Sequence, residues 1–257
     1  MKKLVAALAV AVLTTALTAC GSDGEGGGGA PPRSRSLTVL AAASLTESFT
    51  VLEKSFEAAN EGVDVKISFG GSAALAQQII NGSEVDVFAS ADEKNMAKVT
   101  AESLIDGEPE IFATNKLMIA VPPDNPAGIA SFADLARPGV TVVVCAPQVP
   151  CGSAAEKVEQ ATGVTLAPAS EEQDVKAVLT KVQAGEADAG LVYVTDVNSA
   201  ADKVKGVEFP EADKAINSYP IAVVKDAPQA ALAREFAELV RGEEGKGELT
   251  KVGFTVP

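Results

Sequence analysis

Three stretches of the 257-residue chain run from an apolar segment through small residues into the start of a helix: Ala41-Ala42-Ala43-Ser44-Leu45-Thr46-Glu47, Gly70-Gly71-Ser72 and Pro150-Cys151-Gly152-Ser153. The first amides of a helix have no partner inside it, and the helix dipole is positive at that end, so such a turn is a ready site for a small anion. In the first stretch Ser44 and Glu47 fit a capping box, in which serine and glutamate satisfy orphan N–H groups reciprocally. In the second, paired glycines let backbone approach a ligand closely. Each stretch alone reads more readily as an ordinary cap or tight turn. Their recurrence raises an anion site above that reading.

Composition narrows the chemistry. The chain has no histidine, which removes His-based triads, zinc sites of the usual kind and most general-base catalysis at neutral pH. A hydrolase using Ser44 or Ser72 as nucleophile would also lack a G-x-S-x-G elbow, leaving it only a Ser-Lys dyad. Asp86 and Asp92 read as caps or a solvated strand edge, and Glu243-Glu244 as a solvated helix start. A formal net charge of −14 argues against nucleic acid and anionic membrane surfaces as partners. It leaves an anionic ligand open, because a local array of donors can act against a distant field.

The N-terminus carries an address. Lys2 and Lys3 precede an apolar run from Leu4 to Leu17, too short for the ~20 residues a bilayer needs. Leu17-Thr18-Ala19-Cys20-Gly21 then resembles the lipobox of bacterial lipoproteins. Residues 1–19 are accordingly read as a signal peptide and Cys20 as the lipidated new N-terminus. Residues 20–36, with a four-glycine run and Pro31-Pro32, are read as a disordered tether. Cys145 and Cys151 remain, in an exported chain where disulfides persist, so a bridge between them is favoured over a metal pair or a catalytic thiol.

Strand and helix patterns alternate from Leu37 onward. Leu45, Phe49, Leu52 and Phe56 mark one helix face, and Val63, Val65, Ile67 and Phe69 a half-buried strand. Val85–Ala89, Lys116–Val121, Val140–Val144, Ala189–Thr195 and Tyr219–Val224 read as further strands, and another ends at Phe209-Pro210. Ser170-Glu171-Glu172-Gln173 reads as a second capping box, opening the helix that carries Val175, Val178, Leu179 and Val182. This alternation indicates an α/β protein with parallel sheets, and the second half echoes the first.

Along nearly all of residues 37–257 the chain resembles the substrate-binding proteins of molybdate ABC transporters. The matching stretches are Ala41–Thr46, Phe69–Ala76, Val85–Asp92, Val149–Gly152, Gln173-Asp174-Val175, Gly190–Tyr193, Tyr219–Val224 and Gly253-Phe254-Thr255. The resemblance implies a two-lobed type II periplasmic binding protein fold, each lobe a mixed, mainly parallel sheet flanked by helices. Lobe one would comprise residues 37–115 plus 219–257 and lobe two residues 116–218. It also implies a ligand set: Ser44 and Ser72 through hydroxyl and amide, Cys151 and Val175 through backbone N–H, and Tyr193 through its phenol. Cys151 departs from the alanine frequent in relatives, a change that a backbone donor tolerates. Tyr219 reads as packing near the crossover.

The implied function is capture of molybdate, and of tungstate, as an oxyanion, with no cofactor, no side chain on a metal cation and no catalysis. The implied partners are a membrane permease with its cytoplasmic ATPase and, through Cys20, the outer face of the cell membrane, the receptor being a monomer. No Lys or Arg falls within the matching site motifs, so neutral donors would disperse the ligand charge. Such a site suits a fully deprotonated dianion, since a protonated phosphate would set a hydrogen against a donor. A sulfate receptor is the nearest alternative. A surface-anchored serine hydrolase and a ligand-free structural lipoprotein are the alternatives of other classes.

Overall fold

The computed structural model describes residues 35–257. The signal peptide, the lipidation site at Cys20 and nearly all of the tether lie outside the described residues. The first strand, β1 (Arg35–Ala42), begins inside the segment read as tether, because Arg35 and Ser36 pair with Val63 and Asp64 of β2 (Val63–Gly70). A short 3-10 turn, Ala43–Leu45, links β1 to α1 (Thr46–Ala59). Then follow α2 (Ser72–Ile80), β3 (Val87–Ala89), α3 (Glu93–Ala101) and β4 (Ile105–Asn115).

The chain then builds a second lobe. Its elements are β5 (Leu117–Val121), β6 (Val142–Cys145), α4 (Pro150–Thr162), β7 (Ser170–Glu172), α5 (Val175–Gln183), β8 (Ala189–Tyr193), α6 (Val194–Ser199) and β9 (Lys205–Val207). It returns through β10 (Asn217–Val224) to finish on the first lobe with α7 (Ala230–Arg241) and α8 (Glu243–Val252).

The first sheet has the order β2-β1-β3-β10-β4 and the second β7-β6-β8-β5-β9. In the first, β1 lies parallel to β2 and β3, while β10 runs antiparallel to β3 and β4. In the second, β6 lies parallel to β7 and β8, while β5 runs antiparallel to β8 and β9. Each sheet is mixed and mainly parallel in strand direction, as the resemblance implies, with one reversed strand, β10 in the first and β5 in the second. The reason is connectivity: β10 and β5 each enter their sheet from the other lobe rather than through a crossover helix. Asn115 pairs with Asn217, so the two crossings run side by side.

Each lobe has its own apolar core. Phe49, Leu52 and Phe56 of α1 bury against the first sheet, with Phe49 and Phe56 packed on Phe236 of α7 at 5.9 and 5.4 Å between ring centroids. In the second lobe β6 and β8 are buried along their whole length, as strands covered by helices on both faces must be.

Four local expectations change. The sequence reading passed over β4, where Gly107 and Pro109 interrupt the alternation; its partner β10 takes up the irregularity as register shifts at Tyr219/Pro220 and Ile221/Val223. The strand expected to end at Phe209-Pro210 ends at Val207, and Pro210 opens a 3-10 turn, where a fixed φ and a missing N–H cost nothing. Ser170–Glu172 forms β7 against Val143–Cys145 instead of capping a helix. The cap of α5 is Asp174, whose extended backbone brings its carboxylate to the N–H of Ala177 at 2.9 Å. Finally, Asp86 is buried, not solvated, and accepts from the N–H groups of Thr38 and Gln229, both at 2.7 Å.

Candidate functional site

Ser44, Ser72, Cys151, Val175 and Tyr193 line one small cavity between the lobes, about 10 Å³ in volume, together with Gly70, Gly71 and Ala91. Two come from the first lobe and three from the second, so the sequence-derived set converges in space. The cavity is too small for a sugar or a peptide. Among the described residues, no cluster of three His, Cys, Asp or Glu side chains forms a metal site.

Ser44 does not close the expected capping box. The 3-10 turn makes Leu45, not Ser44, the N-cap of α1, so the Ser44 oxygen is out of place for the helix's free amides. Instead its Oγ lies 2.9 Å from the Tyr219 hydroxyl. Tyr219 does pack at the crossover as expected, edge-on to Phe112 and Phe254 at 6.3 and 5.1 Å, but it also holds this serine. Burial, the largest cause, pushes the Tyr219 phenol far above its ordinary range, so it keeps its proton. With Tyr219 donating to Ser44, the serine retains its own proton for a ligand.

Ser72 is the first residue of α2, and its Oγ accepts from the N–H of Ala91 at 2.9 Å. A hydroxyl has one proton, and among the described residues this one is given to no acceptor. Cys151 sits in the first turn of α4, behind Pro150, and Val175 begins α5; amides in these positions have no partner within the helix. Gly152 packs so closely over the preceding loop that a Cβ there would lie 2.1 Å from the Ala146 carbonyl oxygen. That contact explains why glycine follows the cysteine.

A disulfide joins Cys145, at the end of β6, to Cys151, with a Cα–Cα distance of 5.6 Å. It spans a sequence separation of 6, and closing so short a loop contributes roughly 2 kcal/mol on chain-entropy grounds. The double variant Cys145→Ser/Cys151→Ser should lose about that much unfolding free energy in urea titration. An unchanged midpoint would mean the loop is held by packing alone.

Tyr193 ends β8, buried to 1% exposure, and its hydroxyl has no hydrogen-bond partner among the described residues. Burial first, then Tyr219, Asp92 and Asp196, hold its phenol well above the ordinary range, so it is a donor at any physiological pH. A buried phenol proton without an acceptor is costly, roughly 1–3 kcal/mol, and a bound anion would relieve it. Its backbone N–H donates to Asp196 at 3.0 Å. Neither serine is paired with a base: Ser44 meets Tyr219, Ser72 meets an amide, and neither bonds to a lysine or a carboxylate. This arrangement can bind an anion and lacks the proton acceptor that a serine nucleophile requires.

Comparison with known proteins agrees with this geometry. Residues 37–255 match the family model described as bacterial extracellular solute-binding protein. The chain belongs to the bacterial extracellular solute-binding proteins. The molybdate-binding protein ModA of Mycobacterium tuberculosis is 49% identical over 252 residues, 97% of each chain. The substrate-binding domain of a molybdenum ABC transporter from Clostridium difficile superposes with a TM-score of 0.64 at 28% identity, covering 87% of this chain and 100% of that one. The periplasmic molybdate-binding protein of Azotobacter vinelandii superposes with a TM-score of 0.75 at 24% identity, covering 86% and 99%, and shows the shared two-lobed fold. As a solute-binding protein the chain is a transport component, not an enzyme, and the molecule it holds is cargo, not a cofactor.

Sequence reading missed two features of this solute-binding protein's site. One is the contact of Gly71 with the opposite lobe, where a Cβ would lie 2.0 Å from the Gln173 carbonyl oxygen. The other is Lys176, which bridges Glu47 and Asp196 beside the cavity at 2.7 and 3.1 Å. Neither has a local signal, since a glycine in a turn and a lysine on a helix are commonplace.

Proposed function

We propose that this protein captures molybdate, and tungstate of similar shape and charge, between its lobes and delivers it to an ABC permease driven by a cytoplasmic ATPase. The observation that carries the reading is the convergence of Ser44, Ser72, Cys151, Val175 and Tyr193 on one small cavity that no lysine or arginine lines. Each charge-assisted hydrogen bond to a dianion is worth roughly 1.5–3 kcal/mol, so five neutral donors suffice for tight binding. The molybdate-binding relative at 49% identity supports the choice of ion.

Selectivity follows from the donors. Phosphate at neutral pH carries a proton, and at each of the five proposed contacts that proton would face a donor. Sulfate is smaller, and amides fixed at helix starts cannot all follow a shrinking ion. Attachment to the outer face of the membrane through Cys20 rests on the lipobox-like Leu17–Gly21.

Calorimetric titration of ion-stripped protein, residues 21–257, with molybdate, tungstate, sulfate and phosphate tests the reading. Tight molybdate and tungstate binding with silence from sulfate and phosphate is the expected result. Preference for sulfate would keep the mechanism and overturn the ion, and silence from all four would overturn the receptor.

A further inference from the structure

Glu47, Lys176 and Asp196 each stand beside one of the proposed ligand contacts. Glu47, on α1, comes three residues after Ser44; Lys176 is the residue after Val175 on α5; and Asp196, on α6, comes three residues after Tyr193. The Lys176 ammonium lies 2.7 Å from Glu47 Oε1, 3.1 Å from Asp196 Oδ1 and 3.2 Å from Ser199 Oγ. Glu47 belongs to the first lobe and the other residues to the second. Among the described residues this is the ion pair that crosses the cleft.

The contacts continue inward, since the other oxygen of fully buried Asp196 accepts the Tyr193 N–H at 3.0 Å. A chain of polar contacts therefore runs from α1 of the first lobe to the backbone of Tyr193, its Lys176–Asp196 link being an ion pair by distance and not an aligned hydrogen bond.

We propose that Lys176 is a positioning residue that clamps Glu47 to Asp196 when the lobes close, so that closure itself sets the Ser44, Val175 and Tyr193 donors around the ion. Lys176 does not line the cavity. The inference rests on ion capture between the lobes and adds the device that holds them shut. Burial works against the Lys176 charge, but Asp196 and Glu47 together outweigh it and raise the lysine above its ordinary value, so the ammonium persists. Burial raises Asp196 to about 6, with Lys176 the main opposing influence, so at neutral pH it is the anion that the clamp needs. With the lobes apart, Lys176 keeps Asp196 and loses only Glu47. The cross-cleft contact is therefore specific to the closed form.

Glu47→Gln tests the clamp, because it removes the charge that crosses the cleft and leaves the buried Lys176–Asp196 pair intact. Glu47 is partly exposed and glutamine keeps its shape, so the variant is expected to keep the fold. Binding is measured by calorimetry with whichever of the four oxyanions the wild type takes up, at about 10 mM and about 0.5 M NaCl, beside the thermal midpoint of each ion-free protein. The expected result is a dissociation constant about five- to tenfold higher at low salt, a gap that narrows at high salt, and an unchanged ion-free midpoint. A rise that high salt leaves intact, or one accompanied by a lower ion-free midpoint, would make Glu47 a packing residue and overturn the clamp. Equal affinity at low salt would also overturn it while leaving ion capture standing. A wild type that binds none of the four ions would overturn both.

Discussion

Replacing Gly71 with alanine should weaken oxyanion binding by about a hundredfold or more while leaving the ion-free protein at least as stable as before. Gly71 is the N-cap of α2 in the first lobe, with φ −66° and ψ 130°, a conformation any residue adopts. Alanine there strains nothing and, by restricting the unfolded chain, adds about 0.4–1 kcal/mol of stability. The obstacle lies in the other lobe, where the new Cβ would stand 2.0 Å from the Gln173 carbonyl oxygen. Ordinary contact needs about 1.5 Å more, so the lobes must stop short of closure by roughly that distance. Hydrogen bonds lengthened by ~1 Å are effectively lost. Losing two charge-assisted donors at roughly 1.5–3 kcal/mol each corresponds to a hundredfold or more in affinity. Calorimetry on Gly71→Ala reads the effect directly. A dissociation constant within about threefold of wild type would mean that the ion binds without the closure seen here.

Tyr193→Phe should move affinity and stability in opposite directions. The phenol is buried and unpartnered among the described residues, so its removal relieves the protein of a polar group that costs roughly 1–3 kcal/mol. The ring, packed edge-on to Tyr219 at 6.1 Å, stays in place. The ion-free variant should therefore unfold at the same temperature or higher, while losing about ten- to a hundredfold in molybdate affinity. Thermal unfolding with and without molybdate shows both effects in one experiment. A less stable ion-free variant with unchanged affinity would make the hydroxyl a structural group. Ser44 is supported differently: its oxygen already meets Tyr219, so Ser44→Ala removes a proposed ligand donor and strands a buried phenol. It confounds the two effects that Tyr193→Phe separates.

Much of this molecule was legible in order along the chain. The apolar run into Ala43-Ser44, the Gly70-Gly71-Ser72 turn and Pro150 ahead of Cys151 are local signals, and each does lead into a helix start at the cavity. The pairing of Cys145 with Cys151 followed from counting, because lipidation would consume the only other cysteine. The errors share a cause. Ser44 with Glu47 and Ser170 with Gln173 both have the composition of a cap, but composition cannot say whether the backbone there is helical, 3-10 or a paired strand. The 3-10 turn moved the first out of place, and pairing with β6 took the second into β7. Likewise β4 hides behind Gly107 and Pro109, and only its pairing with β10 makes it a strand.

Amino-acid order by itself determined the α/β alternation, the donor-rich and base-free chemistry of the site motifs, and the absence of histidine that closes off most hydrolytic mechanisms. The first two depend on neighbours within a turn or two, and the third on composition alone. Tertiary structure alone decided that Tyr219 holds Ser44 across 175 residues of sequence and that Lys176 reaches Glu47 across 129. It also decided that Gly71 meets Gln173 with no room for a methyl group. These contacts join one lobe to the other or to the crossing strands, and no local periodicity encodes the distance between two bodies that meet only on closing.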